Sequence, residues 1–325
     1  MRDVAVYLRK RFREIRLHFR LDESWPAEED FNELLKLSDG LFIFASTAAK
    51  FVADSAVNDP QSRLSTILQR RATPTQAVAP RSPSPLPRLS YHGRLDALYL
   101  QVLHRAFPPV PELEQRQRNT LLKGIFGALA LSRVWLSLST LAALLFEGTD
   151  TVRRYLERVQ SVVVLPPDEA DSVHFVHRSF ADFIVDPERC IDDDFVAIRS
   201  VQHTTLAKCC IRILRTDLCF NICDIADAMQ LNSEIPDLDQ RITTHIRPAL
   251  QYASLQWSYH LVNADMDDEL MLLLEEFCKN NLLDWLSVLS LLKCGSDTML
   301  DSLLSAHAVV EVRVLQPKSL LSQEH

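Results

Sequence analysis

Residues 173–187 read VHFVHRSFADFIVDP, and within them His177, Arg178, Ser179 and Asp182 fall close together on an otherwise apolar stretch. Imidazole, hydroxyl and carboxylate are the parts of a hydrolase triad, in which a histidine takes the proton of a serine and an acid orients the histidine. That chemistry needs base and nucleophile in hydrogen-bond contact, with an oxyanion hole nearby. The spacing supports another use. If the strand continues, 177 and 179 share a face while 182 already belongs to the next helix. Ser179 suits an N-cap, its hydroxyl accepting from the backbone N–H of residue 181 or 182, and Asp182 near that start complements the helix dipole. A helix start thus explains two of the three residues. The expectation is that the chain has no catalytic residue and is not an enzyme.

Other chemistry is missing. No glycine is followed by lysine, so no G-x-x-x-x-G-K-[ST] loop cradles a phosphate on backbone amides, and G-x-G-x-x-G, H-E-x-x-H and G-x-S-x-G are absent as well. The seven cysteines, 190, 209, 210, 219, 223, 278 and 294, form no C-x-x-C pair. Cys219 and Cys223 are one helical turn apart, but no second pair at zinc-site spacing follows, so buried free thiols in helices and no metal are expected.

The elements that must position His177 come from a chain of 325 residues, 47% hydrophobic, with a formal net charge of -8 and a pI near 5.7. That balance disfavours nucleic acid and anionic membranes as partners. The start, MRDVAVYLRKRFREIR, has no apolar signal region, and VWLSLSTLAALLF (134–146) is too short to span a bilayer. The sequence therefore predicts a soluble cytoplasmic chain with no membrane partner. Val4, Leu8, Phe12, Ile15 and Phe19 give a helix over 3–19 with Asp3 as its cap and Arg9, Arg13 and Arg16 on the outer face. A second helix starts around Ser24–Pro26 and stops at Asp39-Gly40. LFIFASTAAKFVAD is apolar nearly all round, a buried helix, and Asn58-Asp59-Pro60 opens a further one. Five prolines in 72–92 predict an exposed flexible loop, after which RLDALYLQVLHRAF resumes regular structure.

Over 113–190 the order is a long helix (113–131), SLSTLAALLF, a helix DTVRRYLERVQ capped by Thr149, a β-branched VVVLP, a polar turn and VHFV. Helix, helix, helix, strand, turn, strand is the order of a winged-helix domain. From about 195, QHTTLAKCCIRIL, TDLCFNICDIADAM, DQRITTHI, PALQYASLQWSYHLV, DDELMLLLEEFCKN and LLDWLSVLSLLK all carry helix-period apolar faces. They predict antiparallel helix pairs without a strict repeat.

This succession resembles the part of NACHT-type STAND NTPases, especially the large fungal families, that follows the nucleotide-binding core. The resemblance rests on DVAVYLRKRFREI, WPAEEDFNELLKLSDGLFIFASTAAKFV, DPQSRLSTIL, LDALYLQVL, LSLSTLAALL, VHFVHRSFADFIVDPERC and LLDWLSVLSLL, spread over residues 3–292. It implies a mainly α fold: the end of the core and a helical lid (1–71), a Pro/Ser-rich flexible loop (72–92), a helix completing the lid (93–112), a winged-helix domain with a short β wing (113–192), a helical arm of antiparallel helix pairs (193–308) and a frayed tail (309–325). The P-loop core would lie upstream of Met1, as expected of a fragment, a truncated gene model or a degenerate relative.

SDGLFIFA is similar to the lid motif that packs on adenine, with Gly40-Leu41-Phe42 where relatives carry G-x-P. HRSFADF is similar to the motif whose histidine reaches the β-phosphate of ADP. The resemblance therefore assigns His177, Gly40 and Phe42 to cofactor binding only when an upstream nucleotide domain is present. The chain alone holds no cofactor. It implies a non-catalytic regulatory role, controlling a closed or open state and passing it to protein partners, with the nucleotide domain itself in cis or in trans. The alternatives are a helical interaction adaptor and a DNA-binding winged helix. The helix DTVRRYLERVQ offers Arg153, Arg154 and Arg158 for the latter, offset by Asp150 and Glu157. With no phosphate cradle, calorimetric titration of the chain with ATP–Mg should show no low-micromolar binding, and such binding would contradict this reading.

Overall fold

In the computed structural model, residues 2–54, 59–69, 93–226 and 230–315 are described, and helices dominate them. In chain order they are α1 (Arg2–Phe19), α2 (Glu28–Ser38), α3 (Phe42–Ala53), α4 (Pro60–Gln69), α5 (Gly93–Ala106), α6 (Glu112–Leu131), β1 (Leu136–Ser137), α7 (Leu138–Leu144), α8 (Thr149–Glu157), β2 (Val163–Val164), β3 (Ser172–Phe175), α9 (Arg178–Ile184), α10 (Arg199–Asp217), α11 (Leu238–His245), α12 (Pro248–Val262), α13 (Asp268–Asn280), α14 (Leu282–Leu291) and α15 (Ser296–Leu315). Among the described residues no helix is long and apolar enough to cross a membrane. The chain divides into two compact units. One holds residues 1–122, 153–168 and 172–196, the other 123–152, 169–171 and 197–325.

The first unit is organised on α3, which packs against α1, α2, α4 and α5. Its small residues Ala45, Ala48 and Ala49 are fully buried, which lets neighbouring helices approach closely, while Phe44, Phe51 and Val52 fill the remaining space. α1 meets it with Val4, Leu8, Phe12 and Ile15, a stripe at helical spacing. α2 stops where the backbone turns left-handed at Asp39 and Gly40, with φ of 47° and 79°. Asp59 caps α4 by accepting from the Ser62 N–H at 3.0 Å. β2 and β3 pair antiparallel, Val163 opposite Phe175 and Val164 opposite His174. Two polar ties cross this unit. Arg189 grips Asp96 of α5 with two hydrogen bonds of 3.1 and 2.7 Å, and Asp194 accepts from Asn119 of α6 at 2.7 Å.

The second unit is built on α10 and α12, joined by α7, α13, α14 and α15. Trp257 of α12, Phe277 of α13 and Trp285 of α14 meet edge to face, with centroids 5.3–6.2 Å apart, and the Trp285 indole N–H donates to the Ser254 carbonyl at 3.0 Å. Pro248 occupies the first turn of α12, and Asp267 caps α13 by accepting from the Leu270 N–H at 2.8 Å. Gly127 of α6 is where a side chain would fit worst, since a Cβ there would stand 2.7 Å from Gln202 of α10.

Several expectations change. The segment TDLCFNICDIADAM does not form the expected helix over its described residues: α10 ends at Asp217 and residues 218–226 turn, with positive φ at Asn221 and Asp224. Cys219 and Cys223 are therefore not on one helical face, and Cys219 and Cys278 are exposed whereas Cys190, Cys209, Cys210 and Cys223 are buried. Among the described residues no three His, Cys, Asp or Glu side chains group as a metal site. Asp3 lies inside the first turn of α1. Thr149 is the first residue of α8, whose leading N–H groups bond the Gly148 carbonyl instead. A short strand, β1, precedes α7, and α15 continues to Leu315, beyond the expected boundary at 309. The loop expected at 72–92 and the end of the tail, 316–325, lie outside the described residues.

The Gly127 contact makes a specific prediction. Alanine is favoured over glycine in a helix by about 1 kcal/mol, but overpacking costs about 1–3 kcal/mol. Gly127→Ala should therefore destabilise the chain in urea denaturation, and in a Gln202→Ala background, which removes Cγ and Oε1 but leaves Cβ 3.0 Å away, the same change should destabilise less. Equal effects in both backgrounds would remove the steric explanation.

Candidate functional site

The chain leaves β3 at Phe175 and enters α9 at Arg178, and the residue at the junction is His177, extended at φ −152° and ψ 143°. Its side chain, not that of Ser179, caps the helix: Nδ1 accepts from the Ser179 N–H at 3.1 Å. This corrects the assignment of Ser179 as the cap. The physical reason is reach. An extended residue before the helix can fold an acceptor nitrogen back over the first turn, whereas Ser179 is already helical.

The Ser179 hydroxyl has other partners. It lies 2.7 Å from His177 Nδ1 and 2.7 Å from the hydroxyl of Tyr99 on α5. The backbone N–H that donates to Nδ1 requires that nitrogen to be an acceptor, so in the neutral ring the proton sits on Nε2. Ser179 then donates to Nδ1 and accepts from Tyr99, giving one direction of donation, Tyr99 to Ser179 to His177. Tyr99 is 1% exposed. Burial is the main cause that pushes its phenol up to about 12, against the opposing effect of the Ser179 bond, so at neutral pH it remains a donor. Its ring packs on Phe180 and Phe183 at 5.0 and 5.3 Å, and Phe180 packs on Phe175 at 5.1 Å. These rings, from α5, β3 and α9, hold the hydrogen-bonded chain in place. His177 itself is exposed, and its Nε2 makes no hydrogen bond or ion pair among the described residues.

The histidine–serine contact of a hydrolase is thus formed, but the rest of a triad is not. Asp182 faces Arg178 at 3.9 Å across the exposed surface, a pair that contributes little, and it does not bond the imidazole. The Ser179 oxygen is occupied by Tyr99, and its proton is directed at a nitrogen that already accepts from its own backbone. The arrangement fixes the imidazole and leaves one N–H pointing away from the anchor.

Gly40 and Phe42 lie elsewhere in the same unit. Gly40 ends the α2 turn. Phe42 opens α3, 52% exposed, with its ring 4.6 Å from that of Tyr7. No hydrogen bond, ion pair or ring contact among the described residues links either to His177. Sequence reasoning missed Tyr99. The available signal was a phenol on the apolar face of LDALYLQVL, since a tyrosine buried among Leu95, Leu98 and Val102 must find a partner for its hydroxyl.

No protein-family model matches the chain, and neither does any curated protein or solved structure. The resemblance to NACHT-type proteins therefore rests on the residues quoted for it.

Long-range 15N–1H spectra at pH 7.5 should show His177 with its proton on Nε2. Tyr99→Phe, which removes one buried hydrogen bond while keeping the ring, should cost about 1 kcal/mol in urea denaturation. A dominant Nδ1–H tautomer would overturn the assigned direction of the chain.

Proposed function

We propose that this chain is a non-catalytic regulatory and interaction region of a NACHT-type, signalling NTPase-like protein. Residues 113–192 serve as a winged-helix domain and 193–308 as a helical arm, and together they bias a closed or open state and pass it to protein partners. The observation that carries this reading is the presentation of His177, whose imidazole is anchored through Nδ1 by Ser179 and Tyr99 while Nε2 is left as an outward donor. A fixed N–H donor suits recognition of a phosphate oxygen, and it stands where the residues HRSFADF suggest a phosphate-sensing histidine. The element order α6, β1, α7, α8, β2, β3 supports the winged-helix assignment. In this reading Gly40 and Phe42 supply a separate adenine contact. The nucleotide, ADP or ATP, is held by a P-loop domain supplied in cis or in trans.

The DNA-binding alternative is disfavoured by the use of Arg153 of α8 and of Arg158 just after it. Arg153 donates to the Pro166 and Pro167 carbonyls at 3.3 and 3.2 Å, and Arg158 donates to the Ala106 carbonyl at 3.2 Å. Side chains committed to backbone carbonyls are poorly placed to neutralise phosphates in a groove, on a chain of net charge -8.

The test joins this chain to a NACHT-type P-loop core and compares ADP release from wild type and His177→Ala. A charge-assisted hydrogen bond contributes about 1.5–3 kcal/mol, so the variant should hold ADP roughly 10- to 100-fold less tightly and shift toward the open form. Equal ADP retention in both proteins would leave His177 as a helix cap only, and the proposal would fail.

A further inference from the structure

The interior of the second unit contains a run of polar side chains that the regulatory reading does not use. Ser132, just after α6, lies 2.8 Å from the hydroxyl of Tyr252 on α12. That hydroxyl lies 2.8 Å from Nε2 of His260, about two turns further along α12. Nδ1 of His260 in turn lies 2.9 Å from Nδ1 of His203 on α10. Tyr252 and His203 are each 5% exposed and His260 is completely buried. A hydrogen-bonded chain therefore joins the two central helices through their most buried interface.

Proton counting decides how this chain behaves. A neutral imidazole has one N–H and one acceptor nitrogen. Two facing Nδ1 atoms 2.9 Å apart need one proton between them, and two neutral rings supply it. Tyr252 then bonds the outer nitrogen of His260 as donor or acceptor, and Ser132 completes the sequence. Protonating one ring keeps the hydrogen bonds but places a charge among buried apolar side chains with no anion to balance it. Protonating both rings puts two donors face to face and breaks the contact between α10 and α12.

The surroundings supply no relief. From α10, Arg199 acts on His203 and disfavours its charged form, and Cys210 lies near Tyr252. From α12, the Tyr259 ring packs against both imidazoles at 5.4 and 5.3 Å, and Arg133 covers the Tyr259 ring at 5.2 Å. The acids of the neighbouring helix are engaged elsewhere: Asp267 and Glu269 hold Lys208 at 2.6 and 2.7 Å, Glu269 also pairs with Arg212, and Glu276 pairs with Arg215 at 2.5 Å. On α15, His307 faces Glu311 at 3.8 Å. Among the described residues no carboxylate is one of the groups that act on the charge of either imidazole, and α7 carries no titratable residue.

From this geometry we infer that the His203–His260 contact is an acid-sensitive latch, holding α10 to α12 while both rings are neutral and releasing them on proton uptake. Burial, with the charge of His203 second, lowers His260 from the ordinary 6.5 to about 3, and burial together with Arg199 also lowers His203. An opened unit restores ordinary histidines that bind protons below about 6.5. The stability of the closed pair is therefore full above that value. It falls as the pH drops from about 6.5 toward 3, by about ten-fold per pH unit for each ring that stays neutral when closed.

Hydrogen exchange of α10 and α12 amides in the full chain, corrected for intrinsic rates, measures the opening equilibrium. Between pH 6 and 5 that equilibrium should rise up to about 60-fold in the wild type. In His260→Gln, which can still bond Tyr252 and His203, the rise should be about 8-fold smaller. The same pH dependence in both proteins would overturn the latch. Should the variant fail to fold, wild-type ring 15N shifts decide. Rings of His203 and His260 that remain neutral at pH 5 in the closed state support it, and titration near 6.5 without opening refutes it.

Discussion

The ring of Tyr99 packs against those of Phe180 and Phe183 and the residue is 1% exposed, so its hydroxyl needs a hydrogen-bond partner inside the protein. Ser179 satisfies it, and in doing so turns its own proton toward His177. The orientation of an exposed imidazole is thereby set by a phenol at the bottom of an aromatic cluster on another helix. The same condition, that a buried polar atom needs a partner, explains why Arg189 and Asp96 meet with two hydrogen bonds and why the guanidinium of Arg63 reaches the Phe51 carbonyl at 2.6 Å.

The same constraint works differently in the second unit. There the polar atoms face one another across α10 and α12 in a sequence that is buried from His203 to Tyr252 and ends at the half-buried Ser132. Donor and acceptor numbers match without a buried charge only when both imidazoles are neutral. In the first unit a buried chain ends at an exposed nitrogen and can act outward. In the second it ends at Ser132 and His203 and acts only on the fit between two helices.

Much of the helical framework was legible because its signals are local. The Val4–Leu8–Phe12–Ile15 stripe, the Asp39-Gly40 stop, Asp59-Pro60 before α4 and Pro248 at the start of α12 each specify backbone geometry within a few residues. The segment after α10 misled because its apolar spacing suits a helix while its polar residues do not. Asn221 bonds both the N–H and the carbonyl of Ile225, at 2.9 and 3.0 Å, so a side chain competes for backbone groups that a helix would use. Phe220 is consequently 87% exposed. At the site, His177 was legible by its neighbours, but its capping role and its dependence on Tyr99 were not. These involve residues 78 positions apart, and no local pattern links them.

α3 presents almost no face to solvent, and three of its positions are alanines pressed against other helices. A residue on the outer side of α1 can change its charge or length at little energetic cost, whereas at Ala45, Ala48 or Ala49 any added carbon must displace a neighbouring helix. The tolerable alphabet there shrinks to alanine and glycine, and glycine weakens the helix itself. Random substitution would therefore be filtered most strictly along this one short stretch, far more than along the arginine-lined surface beside it.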